Sequence, residues 1–82
     1  MISIARPIIT KLEKELVNEV LESGNLATGE FVKSFEENFA KYIGVPYAIA
    51  TSSGTTGLHA AIESLSLPEG SEIITTPFTF IA

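Results

Sequence analysis

Residues 47–58 read Tyr47-Ala48-Ile49-Ala50-Thr51-Ser52-Ser53-Gly54-Thr55-Thr56-Gly57-Leu58, and this stretch decides the fold class. Its first four residues are mostly small and apolar, the composition of a short parallel strand buried on both faces. The next seven are all Ser, Thr or Gly, residues favoured where a helix starts. A helix therefore begins inside the run and continues through Leu58, Ala61, Ile62 and Leu65, apolar positions at helical spacing. Pro68-Glu69-Gly70 reads as a turn and Glu72-Ile73-Ile74-Thr75 as the next strand. Strand, small polar turn, helix, turn, strand makes one β-α-β unit, so the two strands are expected in one sheet and parallel.

Upstream the pattern is helical. Thr10-Lys11-Leu12-Glu13 is a capping-box sequence. Leu12, Leu16, Val17, Val20 and Leu21 recur at helical spacing to about Ser23, where Gly24 stops the helix. A loop bounded by Gly24 and Gly29 follows. A second helix is expected from about Glu30 to Tyr42, with Val32, Phe35, Phe39 and Tyr42 on one stripe and Lys33, Glu36, Glu37 and Lys41 facing water. Gly44 and Pro46 end it. The chain thus divides into a helical arm, residues 1–46, and the start of an α/β domain, residues 47–82.

With 82 residues the chain holds one small domain at most. It is 45% hydrophobic and 18% charged, with a mean hydropathy of +0.32, which argues against a disordered tail. A net charge of -5 disfavours nucleic acid or an anionic membrane as partner. The absence of cysteine excludes disulfides and thiolate metal sites. The N-terminus has no signal-peptide pattern and no apolar run approaches transmembrane length, so a cytoplasmic location is the expectation. A two-stranded sheet leaves too many open edges to stand alone. Phe78, Phe80 and Ile81 lie at the chain end with nothing to pack on. A truncated or fragmentary chain is therefore expected.

Thr51 to Gly57 is the stretch that can carry chemistry. A helix N-terminus presents unpaired N–H groups and the positive end of the helix dipole, and a Gly-containing turn before it suits a phosphate. Gly54 lets backbone approach a ligand, while Thr55 and Thr56 add hydroxyls. No lysine stands in the run, so the ligand would be held by amides and hydroxyls. The same residues are also ordinary helix caps that require no ligand. His59 could face a cofactor or solvent. Phe78 and Phe80 follow a strand end, where α/β ligand sites lie, although Phe80 also reads as a core residue. Thr28 could touch a ligand or serve its turn.

Several segments in order resemble the DegT/DnrJ/EryC1/StrS family of sugar aminotransferases, within the aspartate aminotransferase superfamily of fold type I. These are Ile4-Ala5-Arg6-Pro7, the loop Ser23–Gly29, Val32–Ala40, Tyr47–Thr55, and Glu72–Ile74 followed by Pro77-Phe78-Thr79-Phe80-Ile81-Ala82. The resemblance covers essentially the whole chain. It implies a fragment of a three-layer α/β/α large domain with an N-terminal helical arm, and pyridoxal 5'-phosphate (PLP) as cofactor. By resemblance the cofactor phosphate falls to Gly54, Thr55 and Thr56, the cofactor ring to Phe80, and the substrate side of the site to Thr28. Thr56-Gly57 departs mildly from the family, where a small residue and then alanine are commoner.

The family's Schiff-base lysine has no counterpart here. Lys11, Lys14, Lys33 and Lys41 all stand in the two N-terminal helices. The resemblance therefore implies a parent enzyme that transfers an amino group, with glutamate as donor, to a keto sugar linked to a nucleotide. It also implies a homodimer, with no catalytic residue in this segment and no activity in the isolated 82 residues. A sugar dehydratase of the same family, or a non-catalytic regulatory or interaction fragment, stays open beside it.

Overall fold

Helix α1 spans Lys11–Ser23 in the computed structural model, which describes residues 1–82. Thr10 and Glu13 start it as a capping box. The Thr10 amide donates to Glu13 Oε2 at 2.6 Å, and the Thr10 hydroxyl donates to the same oxygen. That hydroxyl, followed by the Glu13 and Thr10 backbone amides, holds the Glu13 carboxyl below its ordinary value. Gly24 ends the helix with φ 74, a left-handed conformation that glycine adopts without a Cβ penalty.

Helix α2 spans Glu30–Ile43 and ends at Gly44, φ 82. The Gly44 and Val45 amides both donate to the Ala40 carbonyl, at 2.9 and 3.0 Å. This reversal brings Pro46, Tyr47 and Ala48 back beside Glu36, Glu37 and Ala40, with which they line a small cleft. Ala40, 6% exposed, is the one buried side chain of the chain, and Val32 and Glu36 on the same helix line are half-buried. The covered line of α2 is therefore Val32–Glu36–Ala40. It is not the aromatic stripe expected from periodicity, and Glu36 does not simply face water. Phe35 and Phe39 on that stripe stack on each other, with ring centroids 5.8 Å apart and planes tilted by 44°, yet both stay exposed.

Helix α3 spans Gly54–Ser64. After it, Pro68-Glu69-Gly70-Ser71 turns with the Ser71 amide donating to the Pro68 carbonyl at 3.2 Å and Gly70 at φ 84. These are the features of a type II turn.

The chain forms two units, residues 1–48 with α1 and α2, and residues 49–82 with α3. The boundary falls inside the expected strand 47–50. Three helices are the only regular elements, and the expected strands 47–50 and 72–75 are not formed in this structure. A strand exists only through a hydrogen-bonded neighbour, and a parallel pair forms when a crossover helix packs its apolar face across both. Here Leu58 and Ile62 of α3 are exposed, as are Ile49, Ile73 and Ile74 of the two segments. With no apolar burial to offset the ordering of backbone, the pairing has no driving force.

The Glu13 bond yields a pH prediction. A carboxyl whose folded value is depressed stabilises α1 above the ordinary carboxylate range, and that contribution is lost as pH falls through the lowered value. Side-chain NMR titration should show Glu13 protonating below the ordinary glutamate value, and Thr10→Val should bring it back towards that value. If Glu13 titrates at the ordinary glutamate value in the unaltered chain, the capping bond does not persist in solution.

Candidate functional site

The polar run enters α3 through Ser53, whose extended backbone (φ -161, ψ 164) makes it the N-cap. Its side chain accepts the Thr56 amide at 3.2 Å, and Thr56 Oγ1 accepts the Ser53 amide at 3.0 Å. This is a capping box closed by threonine in the place that glutamate or glutamine usually takes. The Ser53 carbonyl accepts the Gly57 amide at 3.0 Å, and the hydroxyls of Thr51 and Thr56 lie 3.0 and 2.9 Å from it. Ser52 Oγ adds a contact to Thr56 Oγ1 at 3.2 Å.

A helix start leaves four amides without an intrahelical partner. At α3 the box satisfies two amides, those of Ser53 and Thr56. The amides of Gly54 and Thr55 remain, and the Thr55 hydroxyl is bonded to nothing within the chain. Two N–H donors and one O–H donor are thus left on consecutive residues at the positive end of a helix dipole, an arrangement suited to an anionic oxygen cluster. A Cβ built on Gly54 meets no protein atom within 4 Å, so the backbone there is open to close approach.

These donors border a cavity of about 750 Å³ lined by Ser53, Gly54, Thr55, Gly57, Leu58, Phe80 and Ala82. Gly54, Thr55 and Phe80, three residues singled out from the sequence, therefore share one cavity. Phe80 is 78% exposed, so its ring is available to a flat ligand. Thr56 does not line the cavity, and its hydroxyl is engaged by Ser52 and Ser53. Thr28 lies in the other unit and is exposed. Its neighbours Ala27 and Gly29 line a separate cavity of about 300 Å³ with Glu19, Val20, Phe31 and Val32, and Thr28 does not. His59 stands 3.7 Å from Glu63, one turn further along α3, with both side chains exposed and neither lining the α3 cavity. Phe78 is exposed and lines none of it.

Sequence reasoning missed the parts played by Thr51 and Gly57. Thr51 Oγ1 lies 3.2 Å from where a Gly57 Cβ would stand. The signal for the α3 capping box is Ser53 followed three residues later by Thr56, although threonine is an unusual closing residue.

A small polar loop that opens a helix and leaves two amides free beside an exposed aromatic ring is an arrangement suited to an anion. The sequence profile of the DegT/DnrJ/EryC1/StrS aminotransferase family matches residues 7–82. The GDP-perosamine synthase of Escherichia coli O157:H7 is 40% identical over 82 residues, covering 99% of this chain and 22% of that protein. The spore coat polysaccharide biosynthesis protein SpsC of Bacillus subtilis (strain 168) is 42% identical over 74 residues, 90% of this chain and 19% of that protein. The GDP-perosamine synthase of Vibrio cholerae is 32% identical over 83 residues, 100% of this chain and 23% of that protein. No solved structure matches. The chain belongs to the DegT/DnrJ/EryC1/StrS aminotransferase family, and it spans about a fifth of the length of the curated relatives it matches. No helix in it is long and apolar enough to cross a membrane.

The capping box and the free amides separate under mutation. Ser53→Ala leaves the Thr56 amide without its acceptor and should cost about 1 kcal/mol of stability. Gly54→Ala meets no steric obstacle within the chain and should stabilise or leave stability unchanged, by up to about 1 kcal/mol. Denaturant unfolding of the full-length protein reads both, and equal losses for the two variants would contradict the box.

Proposed function

We propose that the chain is the cofactor-phosphate-binding part of a PLP-dependent aminotransferase that acts on a keto sugar carried by a nucleotide, with glutamate as amino donor. The observation that carries this reading is the shared cavity: the free Gly54 and Thr55 amides, the free Thr55 hydroxyl and the exposed Phe80 ring border one space. A phosphate and a flat aromatic ring are the two chemistries that such a lining recognises. Membership of the aminotransferase family supports the assignment, as do relatives named as GDP-perosamine synthases.

The residues present fit PLP. Gly54 and Thr55 would hold its phosphate and Phe80 would lie against its ring. Thr56 would serve by closing the cap that leaves their donors free. When bound, PLP supplies an electron sink for amino-group transfer. This chain contributes binding and orientation to that chemistry. Lys11, Lys14, Lys33 and Lys41 stand in α1 and α2, and no lysine lines the cavity. The amine that bonds the cofactor belongs to the further length that the relatives have, and the isolated 82 residues are inactive.

In the complete protein, segments 47–50 and 72–75 become strands of a three-layer α/β/α domain once neighbouring strands and helices cover their exposed isoleucines. Thr28 lies on the substrate side, in a homodimer with its sites at the subunit boundary. The length of apolar surface left bare here, from Leu12 on α1 to Ile81, fits a chain that completes its core with further elements.

Thr55→Ala in the full-length protein tests the reading. Losing a hydroxyl bond to a charged acceptor costs about 1.5–3 kcal/mol, or roughly a ten- to hundredfold weaker affinity for PLP by absorbance titration. The melting temperature of the apoprotein should hold, because Ser53 and Thr56 keep the cap. Lower melting with unaltered PLP affinity would show that Thr55 serves the helix alone.

A further inference from the structure

We propose that Thr51 is a positioning residue of the anion cradle, and that Gly57 is the residue whose missing side chain admits it. The inference rests on the reading that an anion sits at Gly54 and Thr55.

Thr51 precedes the cradle and lines no cavity with it. Its hydroxyl nevertheless donates to the Ser53 carbonyl at 3.0 Å, so the loop is tied across two residues. The same oxygen lies over the first turn of α3, where a Gly57 Cβ would approach it to 3.2 Å. Such a separation is tighter than ordinary van der Waals contact, so a side chain at 57 would have to push the threonine away. The crowding falls on the oxygen that makes the bond. Glycine inside a helix carries a propensity cost relative to alanine, and Gly57 has no left-handed backbone to justify it, since the positive-φ glycines are Gly24, Gly44 and Gly70. Close approach by Thr51 supplies the reason.

The consequence reaches the cradle through Ser53. Its carbonyl also accepts the Gly57 amide, the first intrahelical bond of α3. Thr51 therefore bears on the atom from which the helix is hung, two residues from the free Thr55 donors. Losing that bond leaves the Ser53 carbonyl with Gly57 and Thr56 alone, and loosens the backbone that carries the Gly54 and Thr55 amides.

The test is a double-mutant cycle in the full-length protein, with PLP affinity read by absorbance titration. Loss of one neutral hydrogen bond should weaken PLP binding by roughly two- to tenfold in Thr51→Ala. Thr51→Ser, which keeps the hydroxyl, should stay close to the unaltered protein. Gly57→Ala should weaken binding when Thr51 is present and have no further effect in the Thr51→Ala background, because the crowded atom is then gone. Equal effects of Gly57→Ala in both backgrounds would overturn the proposal. Thr55→Ala measured alongside separates the two readings. If it weakens PLP binding while the Thr51 series is flat, the cradle stands and the positioning role fails. If it is silent, the cradle reading fails, and hydrogen exchange of segment 51–58 in the apoprotein decides for Thr51. Faster exchange in Thr51→Ala but not in Thr51→Ser then leaves Thr51 a tie on the α3 start with no cradle to position, and unchanged exchange in both removes that tie as well; either result overturns the proposal.

Discussion

Ser53 is held at every polar atom it has. Its amide goes to Thr56 Oγ1, its hydroxyl takes the Thr56 amide, and its carbonyl takes the Gly57 amide with two threonine hydroxyls close by. Hydrogen-bonding groups at a helix start must find partners or water. Because Ser53 and Thr56 satisfy each other, the amides left over beside the cavity are those of Gly54 and Thr55. The start of α3 and the identity of the free amides follow from that closure. A cap that needs no ligand and a set of donors left over for one are therefore not rival descriptions of residues 51–57. The cap uses one set of atoms and leaves the other set available.

The helices are legible in the sequence because their signals are local. Thr10-x-x-Glu13, Gly24, Gly44 and the Ser/Thr/Gly run each act within one turn of chain, and α1 and α2 begin and end where those residues stand. The strands depend on something nonlocal. Tyr47–Ala50 and Glu72–Thr75 have strand composition, but a ladder needs a neighbour and a covering layer, and neither is supplied by 82 residues that bury only Ala40. The same limit explains α2. Periodicity marks Phe35 and Phe39 as the covered stripe, but what covers α2 here is its own continuation after Gly44, which reaches Glu36 and Ala40 instead.

The candidate site is legible in part for the same reason. Gly54, Thr55 and Phe80 stand out by residue type and by their places relative to a helix start and an expected strand end. Thr56 groups with them because it carries a hydroxyl, and composition does not say which way a hydroxyl bonds. Only the geometry shows that Thr56 spends its side chain on Ser52 and Ser53. Thr28 is placed by resemblance alone, and within its own unit it stands outside the cavity that its neighbours line.

The residues of this chain that border the α3 cavity include no cation, and that limits what they can offer an anion. No lysine or arginine lines the α3 cavity, and the chain carries a net charge of -5. Long-range charge from these 82 residues therefore does not favour a dianion. What this segment can offer an anion is short bonds from amides and a hydroxyl, reinforced by the helix dipole, whose influence fades within the first turn. Such bonds depend on donor direction far more than a point charge does. A lysine can follow a displaced phosphate on its flexible stem, whereas an amide moves only when the backbone moves. Within this segment, the backbone closure at Ser53 stands where a cation stands in other phosphate loops.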